Sequence, residues 1–392
     1  MAFEENLSRR KFLAGTGSAL AFAPMGLGLP ASVAAAQSPA IIKRKLGRTD
    51  IEVPIVSMGV MNADNPAVIQ GSYNLGVRFF DTARLYLNGR NEEMVGKVIK
   101  DMGVRKDVCI QTKGWYGNRN LDLRKSTPEQ RKQDLLKEFD SSLAALQTDY
   151  VDTFLLHDPD VAQMTDSGIK EALAEMKKRK KARYIGVSTH TREADVLNAA
   201  MKEGIYDTVT VSFNFTRNDD TALLAAIKNA AKAGIGIIAM KTQASGRGQT
   251  VRVNQTAALK WVLRNLEITT AIPGYMNFDH MKEDFSVAYG LDYTDAEKKF
   301  LSDRNLQAFV QFCRQCSTCR SSCPKGVDIP TLMRTHMYAA KYGNFVHARA
   351  TLDEIASNVG LKNCVDCSDC GAKCANYVGI ADNIRDLKAM YL

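Results

Sequence analysis

The sequence predicts an α/β protein: a (β/α)8 TIM barrel followed by a small domain of helices and loops built around eight cysteines. Two observations predict it. From about Lys45 to Gly290, short apolar runs alternate with longer amphipathic ones, the pattern of strand–helix units joined by right-handed crossovers into a parallel sheet. After Gly290 the alternation stops, and two cysteine runs of matching spacing take over. The chain has 392 residues, of which 45% are hydrophobic and 24% charged. That composition and length exclude a disulfide-held miniprotein, a collagen and a disordered chain.

The expected strands are Ile55–Val60, Val77–Asp81, Asp107–Lys113, Val151–His157, Tyr184–Ser188, Thr208–Phe213, Ile235–Met240 and Ile268–Pro273. A plausible helix follows each, most clearly Pro128–Leu146, Lys170–Lys181, Asp220–Ala233 and Thr256–Leu266. Eight such units fit a barrel. An open doubly wound sheet is the runner-up, but no G-x-G-x-x-G follows the first strand, so that fold lacks its usual dinucleotide site. Thr294-x-x-Glu297 reads as a capping box, opening a helix expected to run to about Phe312 and deliver the chain to Cys313. Two further helical stretches are expected to join at Tyr342-Gly343-Asn344. The expected organisation is a leader over 1–36, a barrel over 37–292 and a cysteine domain over 293–392.

Leu13 to Ile42 carry no charge, which would suffice in length for a membrane span. The stretch is instead dominated by Ala, Gly and Ser and broken by Pro24 and Pro30. Before it stands Ser8-Arg9-Arg10-Lys11-Phe12-Leu13, and Ala34-Ala35-Ala36 precedes Gln37. This resembles a twin-arginine export signal with a small-residue cleavage site. The expected location is periplasmic or otherwise exported, with an N-terminal membrane anchor as the alternative and no membrane span in the mature chain. The twin-arginine route carries folded proteins, as a chain that acquires a metal cluster before export requires.

The formal net charge is +9. The leader contributes +1 through Arg9, Arg10 and Lys11 against Glu4 and Glu5. Bound clusters would lower the remainder, so a nucleic-acid partner is not expected. The run Lys177–Lys181 reads as a solvated helix end.

Cys313, Cys316, Cys319 and Cys323 are spaced C-x2-C-x2-C-x3-C, and Cys364, Cys367, Cys370 and Cys374 repeat that spacing. Disulfides would suit an exported protein, but thiols this crowded pair poorly without strain. Zinc is the better rival, although a zinc ribbon needs two cysteines per loop and each loop here has four. The spacing is that of bacterial two-cluster ferredoxins. By that resemblance, one 4Fe-4S cluster takes Cys313, Cys316, Cys319 and Cys374, and the other takes Cys364, Cys367, Cys370 and Cys323. Pro324 follows the first run as in those proteins; Ala375 follows the second. Cys109 stands apart in an apolar strand and reads as a core residue.

Four residues stand at or near the C-terminal ends of early strands, the face on which barrel active sites are built. They are Asp81, Tyr86, Lys113 and His157. Each alone has a bland reading as a cap, a surface cation or a core side chain. Together they make an acid catalyst. A phenol with pKa about 10 is a poor acid; a neighbouring ammonium is expected to lower that value. A carboxylate holds the ammonium, and a histidine orients a carbonyl oxygen.

The stretch Lys43 to Gly290 resembles an aldo/keto reductase. Lys45-Leu46-Gly47-Arg48-Thr49 resembles the family's opening hairpin. Phe80-Asp81-Thr82-Ala83-x-x-Tyr86 with Asn91-Glu92-Glu93-x-x-Gly96 matches its best signature, and Tyr184-Ile185-Gly186-Val187-Ser188 and Ile272-Pro273-Gly274 match two more. The resemblance implies a tetrad of Asp81, Tyr86, Lys113 and His157, with Tyr86 as general acid for carbonyl–alcohol interconversion. It implies an NADP or NAD site at Ser188, Asn214, Met240, Lys241, Gly274 and Asp284. The sequence departs from the family there. Thr189 and His190 follow Ser188 in place of Asn, Thr210 replaces a glutamine, Met240 replaces a stacking aromatic, and Gly274 and His280 stand where cations usually grip the 2′-phosphate.

With its leader and cysteine runs, the chain resembles exported, ferredoxin-fused aldo/keto reductases. The implied partners are a small carbonyl or alcohol and a redox partner protein or quinone-linked electron acceptor. Substrate specificity is expected in loops such as Trp115–Arg124 and in the cysteine domain. A second reading is an iron–sulfur electron-transfer module whose barrel no longer performs carbonyl chemistry. A third is a cytoplasmic reductase that keeps its leader.

Overall fold

A computed structural model describes residues 40–116, 126–244, 253–303, 310, 312–364, 367 and 370–392. The leader, with its arginine pair and Ala34–Ala36, and most of the Trp115–Arg124 loop lie outside the described residues.

Eight parallel strands form one sheet: β3 (Met58–Gly59), β4 (Phe79–Asp81), β5 (Cys109–Tyr116), β6 (Val151–His157), β7 (Ala182–Thr189), β8 (Thr208–Ser212), β9 (Gly236–Met240) and β10 (Ile268–Ala271). They hydrogen-bond in chain order. Val56 bridges Ala271, while the Ser57 and Gly59 N–H groups donate to Ala271 and Pro273 carbonyls, so the barrel is nearly closed. Each expected apolar run contains a strand. β5 starts later than the sequence suggests because Arg105–Asp107 form a 3-10 turn. Cys109 therefore opens the strand and is only partly buried.

Before the barrel, β1 (Lys43–Lys45) and β2 (Glu52–Pro54) pair as an antiparallel hairpin. Its turn needs Gly47 at φ +54°, and a Cβ there would stand 2.3 Å from the Gly236 nitrogen. The turn thus rests directly on β9. Leu46, Ile51 and Val53 join Phe79, Ile238 and Ile272 in a buried cluster inside the barrel. The hairpin plugs the N-terminal end and leaves chemistry to the opposite face.

The helices begin where side-chain oxygens cap them. Thr127 and Gln130 form a capping box for Pro128–Ala145, and Asp166, Asp220 and Asn254 cap Ser167–Lys178, Thr221–Lys232 and Gln255–Leu263. Their apolar faces pack on the sheet in one core that includes Phe80, Phe139, Phe154, Leu173, Ile227 and Phe285. The basic run closes Ser167–Lys178 and exposes Lys178, Arg179 and Lys180.

The Thr294–Glu297 capping box forms, but its helix spans only Asp295–Ser302, and Asp303 leaves it extended. The helix expected to run to about Phe312 thus breaks at Asp303; residues 304–309 and 311 lie outside the described residues. Glu297 is tied to the barrel by Thr256 Oγ1 at 2.7 Å and Lys260 Nζ at 2.8 Å. Phe312, which is not helical, instead joins a buried cluster with Phe215, Phe300 and Val310. The helix Ile329–His336 runs on through a π-turn to Lys341, Gly343 turns the chain at φ +63°, and Phe345–Leu352 follows. With Ile380–Tyr391 these helices enclose a separate core of Val327, Leu332, Leu361, Ile384 and Leu387.

This region seats on the C-terminal face of the barrel. Arg334 pairs with Asp158 of the barrel at 2.7 Å and with Glu354 of its own domain at 3.0 Å. Asn344 donates to Asn62 Oδ1 at 2.8 Å, and Arg314 pairs with Asp219 at 2.8 Å. Among the described residues no helix is long and apolar enough to cross a membrane.

Candidate active site

Asp81 ends β4, Lys113 lies in β5 and His157 ends β6, so the parallel register carries all three to one face. Lys113 Nζ donates to Asp81 Oδ2 at 2.7 Å, to the Thr82 carbonyl at 2.9 Å and to Tyr86 Oη at 3.3 Å. The His157 ring stands edge-on to Tyr86, centroids 5.8 Å apart. A polar layer inside the barrel fixes the carboxylate from below. Gln111 Nε2 donates to Asp81 Oδ1 at 2.7 Å and to Thr210 at 3.2 Å, while Thr153 donates to Gln111 Oε1 at 2.9 Å.

Tyr86 opens a turn in which Leu87, Asn88 and Gly89 are all left-handed, at φ +50°, +55° and +90°. Such backbone costs about 1–3 kcal/mol for each residue other than glycine, so the surroundings must hold it. Asn91 Nδ2 donates to the Val60 carbonyl at 2.8 Å and its oxygen accepts from Thr82 at 2.7 Å. Glu92 accepts from Thr112 at 2.6 Å and pairs with Arg84 at 3.2 Å. A Cβ at Gly96 would meet the Leu146 backbone at 2.4 Å. The signature residues after Tyr86 thus act as the frame of its turn.

Burial dominates the electrostatics. It pushes the Tyr86 phenol well above its ordinary pKa, with the Asp81 charge adding to the rise. Burial outweighs the lowering expected from the Lys113 ammonium, because a buried phenolate loses its hydration. Burial also lowers Lys113, opposed by Asp81. His157 lies well below 6.5 through burial and then the Lys113 charge, so it is a neutral imidazole. Tyr86 is a neutral phenol held by a cation.

A cleft of about 360 Å³ opens beside the tetrad. Asp81, Tyr86, Met240, Lys241, Gly274 and His280 line it from the barrel, and Lys341 and Tyr342 line it from the C-terminal region. Ser188, Asn214 and Asp284 do not line it. Four residues that the sequence did not single out shape the site. His347 sets its ring edge-on to Tyr86 at 5.6 Å. Tyr338 and Tyr342 lie under the Lys241 ammonium at 4.6 and 5.0 Å. Arg334 clamps Asp158 beside the site. All four come from the cysteine domain, and the sequence carries no sign of where that domain seats.

Residues 59–257 match the aldo/keto reductase family, just over half of the chain. The chain belongs to the aldo/keto reductase family. This aldo/keto reductase is an oxidoreductase that carries a 4Fe-4S dicluster domain, matched over residues 312–378. Among its relatives, an uncharacterized oxidoreductase of Bacillus subtilis, YqkF, is 31% identical over 179 residues, which is 42% of this chain and 57% of the relative. An Arabidopsis thaliana L-galactose dehydrogenase is 24% identical over 66% of this chain and 92% of its own length. Two solved structures share the fold. An aldo-keto reductase of Bacillus halodurans in its holo form has a TM-score of 0.56 at 23% identity, covering 68% of this chain and 96% of its own. An aldo/keto reductase of Klebsiella pneumoniae in complex with NADP and acetate has a TM-score of 0.52 at 20% identity, covering 66% and 94%.

In the dicluster domain the sulfurs fall into two groups. Cys313 lies within electrostatic reach of Cys374, Cys319 and Cys316, and Cys364 within reach of Cys367, Cys323 and Cys370. The second group lines a cavity of about 270 Å³ with Pro324, Ile329, Ile384 and Lys388. Around the first, Gln315 Nε2 donates to Cys313 Sγ at 3.2 Å, Thr318 to Cys316 Sγ at 3.4 Å and the Asn376 N–H to Cys374 Sγ at 3.3 Å. Donors of this kind tune thiolate-bound clusters. Four soft ligands around one cavity fit a cubane.

The residues set against a nicotinamide do not fit one held in the family manner. Ser188 Oγ faces the Leu156 carbonyl at 3.5 Å. Asn214 donates to the Lys241 carbonyl at 3.1 Å and accepts from Thr216 Oγ1 at 2.7 Å. Thr189 Oγ1 donates to the Thr191 carbonyl at 2.6 Å, and Asp284 accepts from Gln243 at 2.6 Å. These polar groups are engaged by the protein itself.

Proposed function

We propose that the chain is an exported oxidoreductase interconverting a small carbonyl and its alcohol at Asp81, Tyr86, Lys113 and His157, with electrons relayed through the dicluster domain. One observation carries this reading. Lys341 and Tyr342 of the dicluster domain line the same cleft as Tyr86 and Asp81, and a narrow cavity lined by Lys241 and Lys341 reaches Cys313. Export rests on the twin-arginine resemblance of Ser8–Leu13 and the small residues at Ala34–Ala36.

The carbonyl–alcohol couple exchanges two electrons and two protons. Two 4Fe-4S clusters, when bound, would pass the electrons one at a time, solvent in the cleft would supply or take up the proton on carbon, and the chain's own residues handle the proton on oxygen. In the reducing direction Tyr86 donates from its hydroxyl to the carbonyl oxygen, and in the oxidising direction it takes that proton back. Lys113 stabilises the phenolate left behind, and Asp81 keeps the ammonium in place. His157, neutral, donates a hydrogen bond that orients the substrate oxygen. The dicluster domain covers the cleft from one side with Lys341 and Tyr342, which lowers the local dielectric and strengthens each interaction. A redox partner protein or quinone-linked acceptor completes the circuit.

The reading is tested by adding small alcohols to the anaerobically purified protein and following its visible absorbance. Bleaching by an alcohol, lost in Tyr86→Phe, is expected. The engaged nicotinamide residues favour a second reading, an electron-transfer module without carbonyl chemistry. Bleaching or electron transfer unchanged in Tyr86→Phe would support that one instead.

A further inference from the structure

The cleft holds an unbalanced charge. Its carboxylate, Asp81, is committed to Lys113 at 2.6 Å. Arg334 is committed to Asp158 and Glu354. Lys341 Nζ donates to the Val310 carbonyl at 3.1 Å. Lys241 has no carboxylate partner among the described residues; its ammonium rests on the faces of Tyr338 and Tyr342. Its backbone is left-handed, at φ +55°, and its side chain lines the cleft.

We propose that Lys241, with Lys341 on the same cleft, is a carboxylate-binding subsite, and that the substrate is a short 2-hydroxy acid or the matching 2-oxo acid. This rests on the reading of the tetrad as a carbonyl–alcohol centre. Lys241 lines the same cleft as Tyr86 and Asp81. A short substrate in that cleft can set its carboxylate toward Lys241 while its carbonyl or hydroxyl faces Tyr86. Burial, Arg334 and Lys113 bring Lys241 down to about 7; a bound carboxylate supplies the missing counter-charge. A nucleotide phosphate is the other source of such an anion.

The test is calorimetric titration of the cluster-loaded full chain with oxalate, oxamide, inorganic phosphate and NADP. Oxalate is expected to bind and neutral oxamide not to. Lys241→Met is expected to weaken oxalate at least about tenfold, the loss of one charge-assisted contact, while Lys241→Arg keeps most of it. Iron content and the visible spectrum report whether each variant has folded and loaded. Equal oxalate affinity in Lys241→Met, no oxalate binding to the native chain, or binding of phosphate or NADP in its place would overturn the proposal. Because binding is read without turnover, a failed subsite is distinct from a failed tetrad, which would show as catalysis unaffected by Tyr86→Phe.

Discussion

His347 of the dicluster domain stands edge-on to Tyr86 of the barrel, ring centroids 5.6 Å apart at 82°. The two rings belong to different domains, so the environment of the barrel's phenol is completed by the cluster-bearing region. Tyr338 extends the contact, 4.3 Å from His347. These aromatic residues add to the burial that lifts Tyr86.

Removing the hydroxyl isolates the proton step. Tyr86→Phe is expected to lower kcat by roughly 10²–10⁴-fold while iron content and thermal midpoint stay near those of the native chain. Steady-state rates alongside iron analysis check both.

Lys113→Met leaves the Asp81 carboxylate buried without its cation. Breaking a buried pair from one side costs about 3–5 kcal/mol, so the urea midpoint is expected to fall sharply and activity with it. An unchanged midpoint would mean that the 2.6 Å pair contributes nothing to holding the site.

Arg334 is the clamp between domains, paired with Asp158 and Glu354 and itself buried. Arg334→Met is expected to loosen the seat on the barrel. Limited proteolysis would show faster cleavage near residue 303, and the stability loss is again about 3–5 kcal/mol.

Two buried histidines set an acid limit. His157 is held well below 6.5 by burial and neighbouring cations, and His190 is lowered to about 4 by burial. The unfolded chain protonates both near 6.5, whereas the folded chain resists. Stability is therefore unaffected by these groups above about pH 6.5 and falls as pH drops from there toward 4. Thermal midpoints at pH 7.5 and pH 5 check the direction, and His190→Gln should flatten the slope.

Much of the fold was legible because short apolar runs alternating with longer amphipathic ones read as strands between helices, and each of the eight expected runs contains a strand. Boundaries were less legible. The capping box announced where the helix Asp295–Ser302 begins but not that Asp303 leaves it extended, and nothing local to Phe312 announces its burial against Phe215 and Phe300. The chemistry followed the same division. Asp81, Lys113 and His157 could be placed by strand ends alone, since a parallel register delivers strand ends to one face. The direction of the Tyr86 shift could not, because it depends on how deeply the site is covered, and the cover comes from residues far along the chain. Lys241 shows the same limit. Its place after Met240 was visible, but its seat on Tyr338 and Tyr342 exists only once the domains dock.

The most direct measurement is iron and acid-labile sulfide on the anaerobically purified protein, with bound nucleotide assayed on the same sample. The account predicts about eight iron and eight sulfide per chain and no stoichiometric nucleotide. A colourless protein without iron, or one that carries a full complement of NADP, would contradict it.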